Sequence, residues 1–322
     1  MSTTDASQIH DLRSALDFLR EMPGQLLETD TQVDPDAEVS GVYRHVGAGG
    51  TVMRPTKEGP AMVFNNVKGF DDAKVCIGML ASRKRVAALL DLDEEHLGLE
   101  IGKRFESLIA PKQIAEGAHI DCQEVVYKAT DEGPLTWTPS TRFPPPTNTP
   151  VDGGPYITMG LAYGTSPDGS QSDVTIHRFS CVDKDKLAMW ITPGSRHLGA
   201  FFDEYCQRGE DMPISISIGL DPAVYMCCGF EAPTTPLGFN ELQIAGALRG
   251  HAVELADCVT VPQKCIANAE YVLEGYLMHD EVINEDVNGH GYAMPEFPGY
   301  TGGAKVCPVI KITAVTTRTN PS

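Results

Sequence analysis

The sequence predicts a small α/β domain over residues 1–112, followed by a closed or split β-barrel over residues 113–322. Helical apolar spacing and short apolar runs share the first part, whereas β-prone segments dominate after residue 150. A proline-dense stretch separates the two patterns. So many strands at this spacing are typical of a barrel rather than a doubly wound parallel sheet.

The N-terminal domain is predicted to begin with a helix whose apolar residues run from Ile9 to Leu19. Ser7 can cap this helix, and the turn at 22–24 ends it. The other elements predicted here are helices over 82–90 and 93–108 and strands over 61–64 and 75–79. The glycine-rich stretch 47–50 matches neither nucleotide-loop pattern, so we interpret it as a flexible turn.

A connector is predicted at 133–150, because its prolines exclude both a helix and a central strand. The strands predicted after it are 156–163, 174–182, 187–192, 214–220, 253–261, 271–277 and 309–315, with helices over 198–207 and 241–248.

Composition narrows the possible partners. Asp and Glu number 44 against 25 Lys and Arg, and the net charge of −19 disfavours nucleic acid and anionic membrane surfaces. No basic start followed by an apolar run occurs at the N-terminus, which predicts a cytoplasmic protein. The nine cysteines form no C-x-x-C pair, so neither disulfides nor a cysteine-bound metal is expected. Alternate pleating would expose only one of Cys227 and Cys228 to a site.

The segment 172–178 alternates polar and apolar side chains as a strand would. One face would carry Asp173, Thr175 and His177, and the other Val174, Ile176 and Arg178. Because polar groups occupy both faces, an edge strand with solvated charges is the favoured interpretation from this segment alone.

Two further segments carry candidate chemistry. A turn over 193–196 precedes a predicted helix start, where free backbone N–H groups and Arg196 could hold a phosphate and His197 could bind a metal. A histidine there is more often structural. Glu270 and Glu274, four apart in a β-prone run, would share one face. If they line a cavity, one of the two carboxyl groups would have a raised pKa and could deliver a proton. If they face solvent, the pair would have no catalytic role.

These three segments, together with 239–241, resemble the active-site signature of the UbiD decarboxylases and occur in the same order along the chain. Further similarity to the protocatechuate and gallate decarboxylase branch extends through 43–51, 230–236 and 293–300. The resemblance implies an α/β domain followed by a split β-barrel that binds flavin.

The resemblance also implies the site. Asp173, His197 and Glu241 match the ligands of a divalent metal, Mn²⁺ or Mg²⁺, which with a nearby K⁺ bridges the phosphate of prenylated FMN. The cofactor-binding positions that it implies are Asp173, Thr175, Ile176, Arg178, Arg196, His197 and Glu241. Arg178, Glu270 and Glu274 match a Glu-Arg-Glu network beside the flavin ring, where the arginine would hold the substrate carboxylate and the glutamates would move the proton.

The expected function is therefore non-oxidative decarboxylation of a hydroxylated benzoate in aromatic acid degradation. Loss of carbon dioxide leaves an electron pair that ordinary side chains cannot stabilise, hence the need for a cofactor. Relatives continue into a C-terminal domain that mediates assembly, so the alternative is a non-catalytic flavin- or phosphate-binding protein. The expected partners are a small aromatic carboxylate, a flavin prenyltransferase that supplies the cofactor, and further copies of the full-length chain.

Overall fold

The computed structural model describes residues 5–49, 55–70, 73–129, 144–192, 197–230, 234–296 and 300–321. The N-terminal elements are α1 (Leu12–Arg20), β1 (Leu26–Thr29), α2 (Glu38–Gly47), β2 (Ala61–Phe64), β3 (Val75–Ile77), α3 (Arg83–Leu90) and α4 (Leu97–Lys103). The later strands are β4 (Lys112–Gln113), β5 (Val125–Lys128), β6 (Tyr156–Thr165), β7 (Ser172–Cys181), β8 (Lys186–Met189), β9 (Met212–Ile218), β10 (Glu254–Asp257), β11 (Lys264–Ile266), β12 (Tyr271–Asn284), β13 (Tyr292–Pro295), β14 (Thr301–Gly303) and β15 (Val306–Thr317). The later helices are α5 (His197–Arg208), α6 (Pro222–Cys227) and α7 (Leu242–Arg249).

The first helix begins later than predicted. A 3-10 turn occupies Ala6–Gln8, and α1 starts at Leu12. Its cap is Asp11 rather than Ser7, because the Asp11 carboxylate accepts a hydrogen bond from Ser14 N at 2.7 Å in a capping box. This local pair competes better for the free amides of the first turn than the more distant Ser7.

The helix α2 was not predicted. It follows Ala37, which has a left-handed φ of 65°, and no side chain caps its N-terminus, so the sequence carries no start signal there. Gly47, assigned from the sequence to a flexible turn, is the last residue of this helix. The helix predicted over 93–108 is shorter, consisting of α4 and a 3-10 turn at Arg104–Glu106.

The barrel predicted from the sequence is confirmed. Six antiparallel strands close in the order β12, β9, β6, β7, β8, β15 through a β12–β15 pairing, and β5 adds to β15 as an extra strand. The strand β7 lies between β6 and β8, so the edge-strand interpretation is wrong. Its polar residues Asp173, Thr175 and His177 are buried rather than solvated.

Two apolar cores flank the barrel wall. The inner core fills the barrel with side chains such as Phe179, Ile216 and Leu273. The outer core joins the barrel wall, represented by Leu161, to N-terminal helices through residues such as Leu90. The N-terminal helices therefore pack directly against the barrel.

Two neighbouring cysteines differ from the sequence-based expectation in their positions. Cys227 and Cys228 lie at the end of helix α6 and are both buried, so the expectation based on strand pleating is wrong. All nine cysteines are free thiols.

The connector residues 144–150 form no helix or strand, and 130–143 lie outside the described residues. Among the helices that the structure describes, none has the length and apolar character needed to span a membrane.

Candidate functional site

The three side chains expected to bind a metal converge at one end of the barrel. Asp173 comes from β7, His197 begins α5, and Glu241 directly precedes α7. One ligand atom from each lies within 4.8 Å of the others, and His197 Nδ1 is 3.6 Å from Asp173 Oδ1. The first turn of α5 is fixed by Leu198 N, which donates to Asp173 Oδ2 at 2.9 Å. The convergence follows the sequence-based expectation, and the role as metal ligands stays a prediction.

The chemistry of this group fits a cation. Burial, followed by the negative charge of Asp173, raises the pKa of Glu241 to about 8. Glu241 Oε2 is buried and makes no hydrogen bond with any residue that the structure describes. A divalent cation would bind this oxygen and offset the repulsion between the two carboxylates, so the donors suit Mn²⁺ or Mg²⁺.

Of the remaining positions expected to bind the cofactor, Thr175 and Ile176 belong to the described residues and Arg196 does not. Thr175 is buried on β7, and Ile176 N donates to Cys228 O at 3.4 Å, which joins β7 to the end of α6. Arg196 lies outside the described residues, together with the rest of the turn over 193–196. Their roles toward a cofactor stay predictions.

Arg178 forms a carboxylate–arginine–carboxylate network, but with partners other than those predicted. Its Nη2 is 3.0 Å from Glu285 Oε1, and its Nη1 is 3.0 Å from Glu296 Oε1. Glu285 also accepts hydrogen bonds from Lys305 N at 3.0 Å and from the Tyr156 hydroxyl at 3.3 Å. The Glu285 side chain is 1% exposed, whereas that of Glu296 is 54% exposed. One carboxylate is thus enclosed by donors and the other is open to solvent.

Glu270 pairs with arginines from both ends of the chain. Arg13 in α1 donates Nε to Oε1 at 2.8 Å and Nη2 to Oε2 at 2.9 Å, and Arg318 Nη1 lies 3.4 Å from Oε1. Arg318 also contacts Asp11 at 2.6 Å. Glu270 is fully buried, and these ion pairs attach α1 to the barrel.

Glu274 is also engaged elsewhere. Its carboxylate accepts Val259 N at 2.8 Å and Thr260 N at 2.6 Å in the turn after β10. The prediction that Arg178 forms one network with Glu270 and Glu274, between or beside the two carboxylates, is therefore wrong. Arg178 is on β7, and two strands separate β7 from β12 in either direction around the closed barrel, so the two strands lie on opposite sides of it.

A cavity of about 1020 Å³ lies between the N-terminal elements and the barrel. It is lined by Tyr43 and Met79 on one side and by Tyr156, Met159 and Tyr271 on the other. None of the three metal-binding candidates lines it. Tyr156 connects this cleft to the Arg178 network, because its hydroxyl donates to Glu285.

The sequence contained a partial signal for the residues that were missed. Glu285 directly follows β12, which runs to Asn284 instead of ending at 277. Extending the predicted strand would have placed a carboxylate at its far end. Glu296 lies in the stretch 293–300 that carries the family resemblance.

Comparison with known proteins identifies two family regions. Residues 17–105 match the N-terminal domain of 3-octaprenyl-4-hydroxybenzoate carboxy-lyase (UbiD), and residues 115–322 match its Rift-related domain. The chain is 54% identical over 317 residues to a gallate decarboxylase of Lactiplantibacillus plantarum. That alignment covers 98% of this chain and 64% of the relative, so the chain spans less than two thirds of the relative's length.

Solved structures of similar proteins share the fold. The apo 3,4-dihydroxybenzoic acid decarboxylase of Klebsiella pneumoniae is 48% identical, with a TM-score of 0.90 over 97% of this chain and 64% of that one. An evolved dimeric form of the UbiD-class enzyme HmfF from Pelotomaculum thermopropionicum, in complex with prFMN, is 29% identical. Its TM-score is 0.82 over 97% of this chain and 66% of that one.

Proposed function

Because this chain belongs to the UbiD family of carboxy-lyases, we propose that it takes part in the non-oxidative decarboxylation of a hydroxybenzoate with prenylated FMN. The substrate class is supported by the similarity to decarboxylases of gallate and of 3,4-dihydroxybenzoic acid. The cofactor is supported by the prFMN complex of a family member. A flavin prenyltransferase would supply it, and the complete enzyme would form a homo-oligomer.

One observation carries the proposal: the strand β7 contributes to both polar clusters. Asp173 belongs to the group that fits a cation, and Arg178, five residues further on, belongs to the network with Glu285. Five residues of extended strand place the two Cα atoms roughly 16 Å apart along β7, with Asp173 and Arg178 on opposite faces of the strand. Prenylated FMN would have its phosphate near Asp173, held through Mn²⁺ or Mg²⁺ with K⁺ nearby, and its flat ring near Arg178.

The chain's own residues divide the remaining work. When bound, prenylated FMN supplies an acceptor for the electron pair that remains on the ring as carbon dioxide leaves. Arg178 would bind the substrate carboxylate with its planar guanidinium, and Glu285 would fix the orientation of Arg178. Both oxygens of Glu285 accept hydrogen bonds, from Arg178, Lys305 N and Tyr156, so this carboxylate is engaged in positioning Arg178.

We assign proton delivery to Glu296. Among the residues that the structure describes, Arg178 is the hydrogen-bond partner of its Oε1, and its side chain is largely exposed, so Oε2 would exchange a proton with water and pass it to the ring carbon. This replaces the acid–base role that the sequence suggested for Glu270 and Glu274. Both of these carboxylates are held by other donors.

The test is production of the protein together with a flavin prenyltransferase, followed by an absorption spectrum and turnover of protocatechuate and gallate. The chain is compared with a fusion that carries the remaining third of the gallate decarboxylase. We expect flavin absorbance in both and carbon dioxide release at least in the fusion. Flavin retention without turnover in either form would contradict the decarboxylase assignment.

A further inference from the structure

Three cysteines meet beneath the β10–β11 hairpin, away from both polar clusters. Cys122 Sγ is 3.9 Å from Cys265 Sγ, and Cys122 N donates to Ala267 O at 3.0 Å. Cys258 N donates to Gln263 O, and Cys265 pairs with Ala256, so Cys258 and Cys265 lie on one face of the hairpin. Thiols from two parts of the chain, 143 residues apart, are therefore already in contact.

The three thiols are not equivalent. Cys122 and Cys265 are fully buried, whereas Cys258 is half-buried and gives small molecules an approach. Hydrogen bonds from the thiols of Cys122 and Cys258 lower the pKa of Cys265, because both stabilise a negative charge on its sulfur. The thiolate is the reactive form of cysteine, and we assign the nucleophile to Cys265, whose sulfur is in contact with that of Cys122.

Other buried cysteines lack this arrangement. Cys227 and Cys228 are neighbours in sequence, yet burial raises the pKa of both thiols. Burial also raises the pKa of Cys181 to about 12 and that of Cys307 to about 12. The low pKa of Cys265 thus depends on neighbouring thiols that donate to it, and burial alone works against it.

We propose that this cluster is a peroxide-sensitive modification site, in which Cys265 and Cys122 form a reversible disulfide. The two sulfurs need to approach by about 2 Å in total to reach disulfide length, a movement that two side chains can share. The bond would link the segment before β5 to the hairpin whose turn holds Glu274.

The chemistry balances with hydrogen peroxide as the oxidant. The Cys265 thiolate attacks one peroxide oxygen, so that an S–O bond forms, the O–O bond breaks and hydroxide leaves. The Cys122 sulfur then attacks the Cys265 sulfur, so that the S–S bond forms and the S–O bond breaks. The thiol proton and the departing oxygen leave as water. Two thiols thereby give two electrons to one peroxide and yield one disulfide and two waters.

The experiment treats the whole chain with a small excess of hydrogen peroxide under native conditions. Intact mass and non-reducing peptide mapping then report the products. We expect a loss of two hydrogens, about 2 Da, in one product that contains a Cys122–Cys265 link and reverts with dithiothreitol. Cys122→Ser and Cys265→Ser should each abolish this product while circular dichroism stays unchanged.

Two more variants sharpen the test. Cys258→Ala should keep the Cys122–Cys265 product but form it more slowly, because Cys265 loses one hydrogen-bond donor. Cys227→Ser is the matched control, a buried thiol outside the cluster, and should leave rate and product unchanged. Absence of the disulfide in the folded parent protein would overturn the proposal, as would a disulfide that joins Cys265 to Cys258 instead.

Discussion

Two buried arginine–carboxylate networks in this protein use the same chemistry for different ends. Glu285 with Arg178 and Glu270 with Arg13 are each bidentate pairs whose carboxylate is almost completely buried. The first joins β7 to the residue that follows β12 and includes the exposed Glu296. The second joins a helix near the N-terminus to the barrel, across 257 residues of sequence. The two networks contain the same residue types, so residue type does not indicate the function of an ion pair. Its function is indicated by which elements it connects and by whether a carboxylate oxygen stays accessible to solvent.

The largest expected effect tests the first network. Replacing Arg178→Lys keeps the positive charge but removes the planar pair of donors, so we expect turnover of the flavin-loaded fusion to fall by about a thousandfold. Arg13→Lys makes the same change in the second network and should leave turnover within about twofold. Steady-state kinetics of both variants checks this. Equal losses of turnover in the two variants would contradict the functional difference between the networks.

The next effect separates the two carboxylates on Arg178. Glu296→Gln removes the proposed proton donor, so we expect kcat to fall about a hundredfold while KM and flavin content stay near those of the parent. Glu285→Gln should both lower kcat and raise KM, because the side chain of Arg178 is then no longer held in its orientation. Matching kinetic profiles for these variants would argue against separate roles for the two carboxylates.

The third effect tests whether Asp173, His197 and Glu241 bind a cation. His197→Ala should weaken binding of Mn²⁺ by about ten- to a hundredfold and reduce retained flavin more than it lowers the melting temperature. His279→Ala is the control, since His279 belongs to a partly exposed group with Asp211 and Asp280 that could also bind a metal. Metal analysis and absorption spectra after dialysis report the result. Parental metal and flavin content in His197→Ala would remove His197 from the site.

The smallest effect tests the second network and Glu274. Glu270→Gln should lower the free energy of unfolding by about 2 kcal/mol, a value reduced from that of a fully buried pair because the Arg13 side chain is 36% exposed. Glu274→Gln should cost about 1 kcal/mol through weaker hydrogen bonds from the turn after β10. Turnover of the folded, flavin-loaded fraction should stay within about twofold. A hundredfold loss with unchanged stability would restore the acid–base roles that the sequence suggested.

Much of the local structure could be predicted because it depends on local patterns. Alternating apolar residues gave the strands β6, β7 and β9, and Ser82 marked the start of α3, where its hydroxyl accepts Arg85 N. Where no local signal exists the prediction failed, as for α2, whose N-terminus has no side-chain cap.

The sequence by itself determined the barrel, the order of its strands along the chain and the residue types of the cluster formed by Asp173, His197 and Glu241. These follow from side-chain periodicity and from motif positions. Only the tertiary structure decided which carboxylates meet Arg178. Glu285, which binds Arg178, is 107 residues from it along the chain. Glu270 forms its ion pair with Arg13, 257 residues away. Pairings over such separations are set by barrel closure and by the docking of α1, because a buried carboxylate binds whichever donor the fold brings within hydrogen-bond distance.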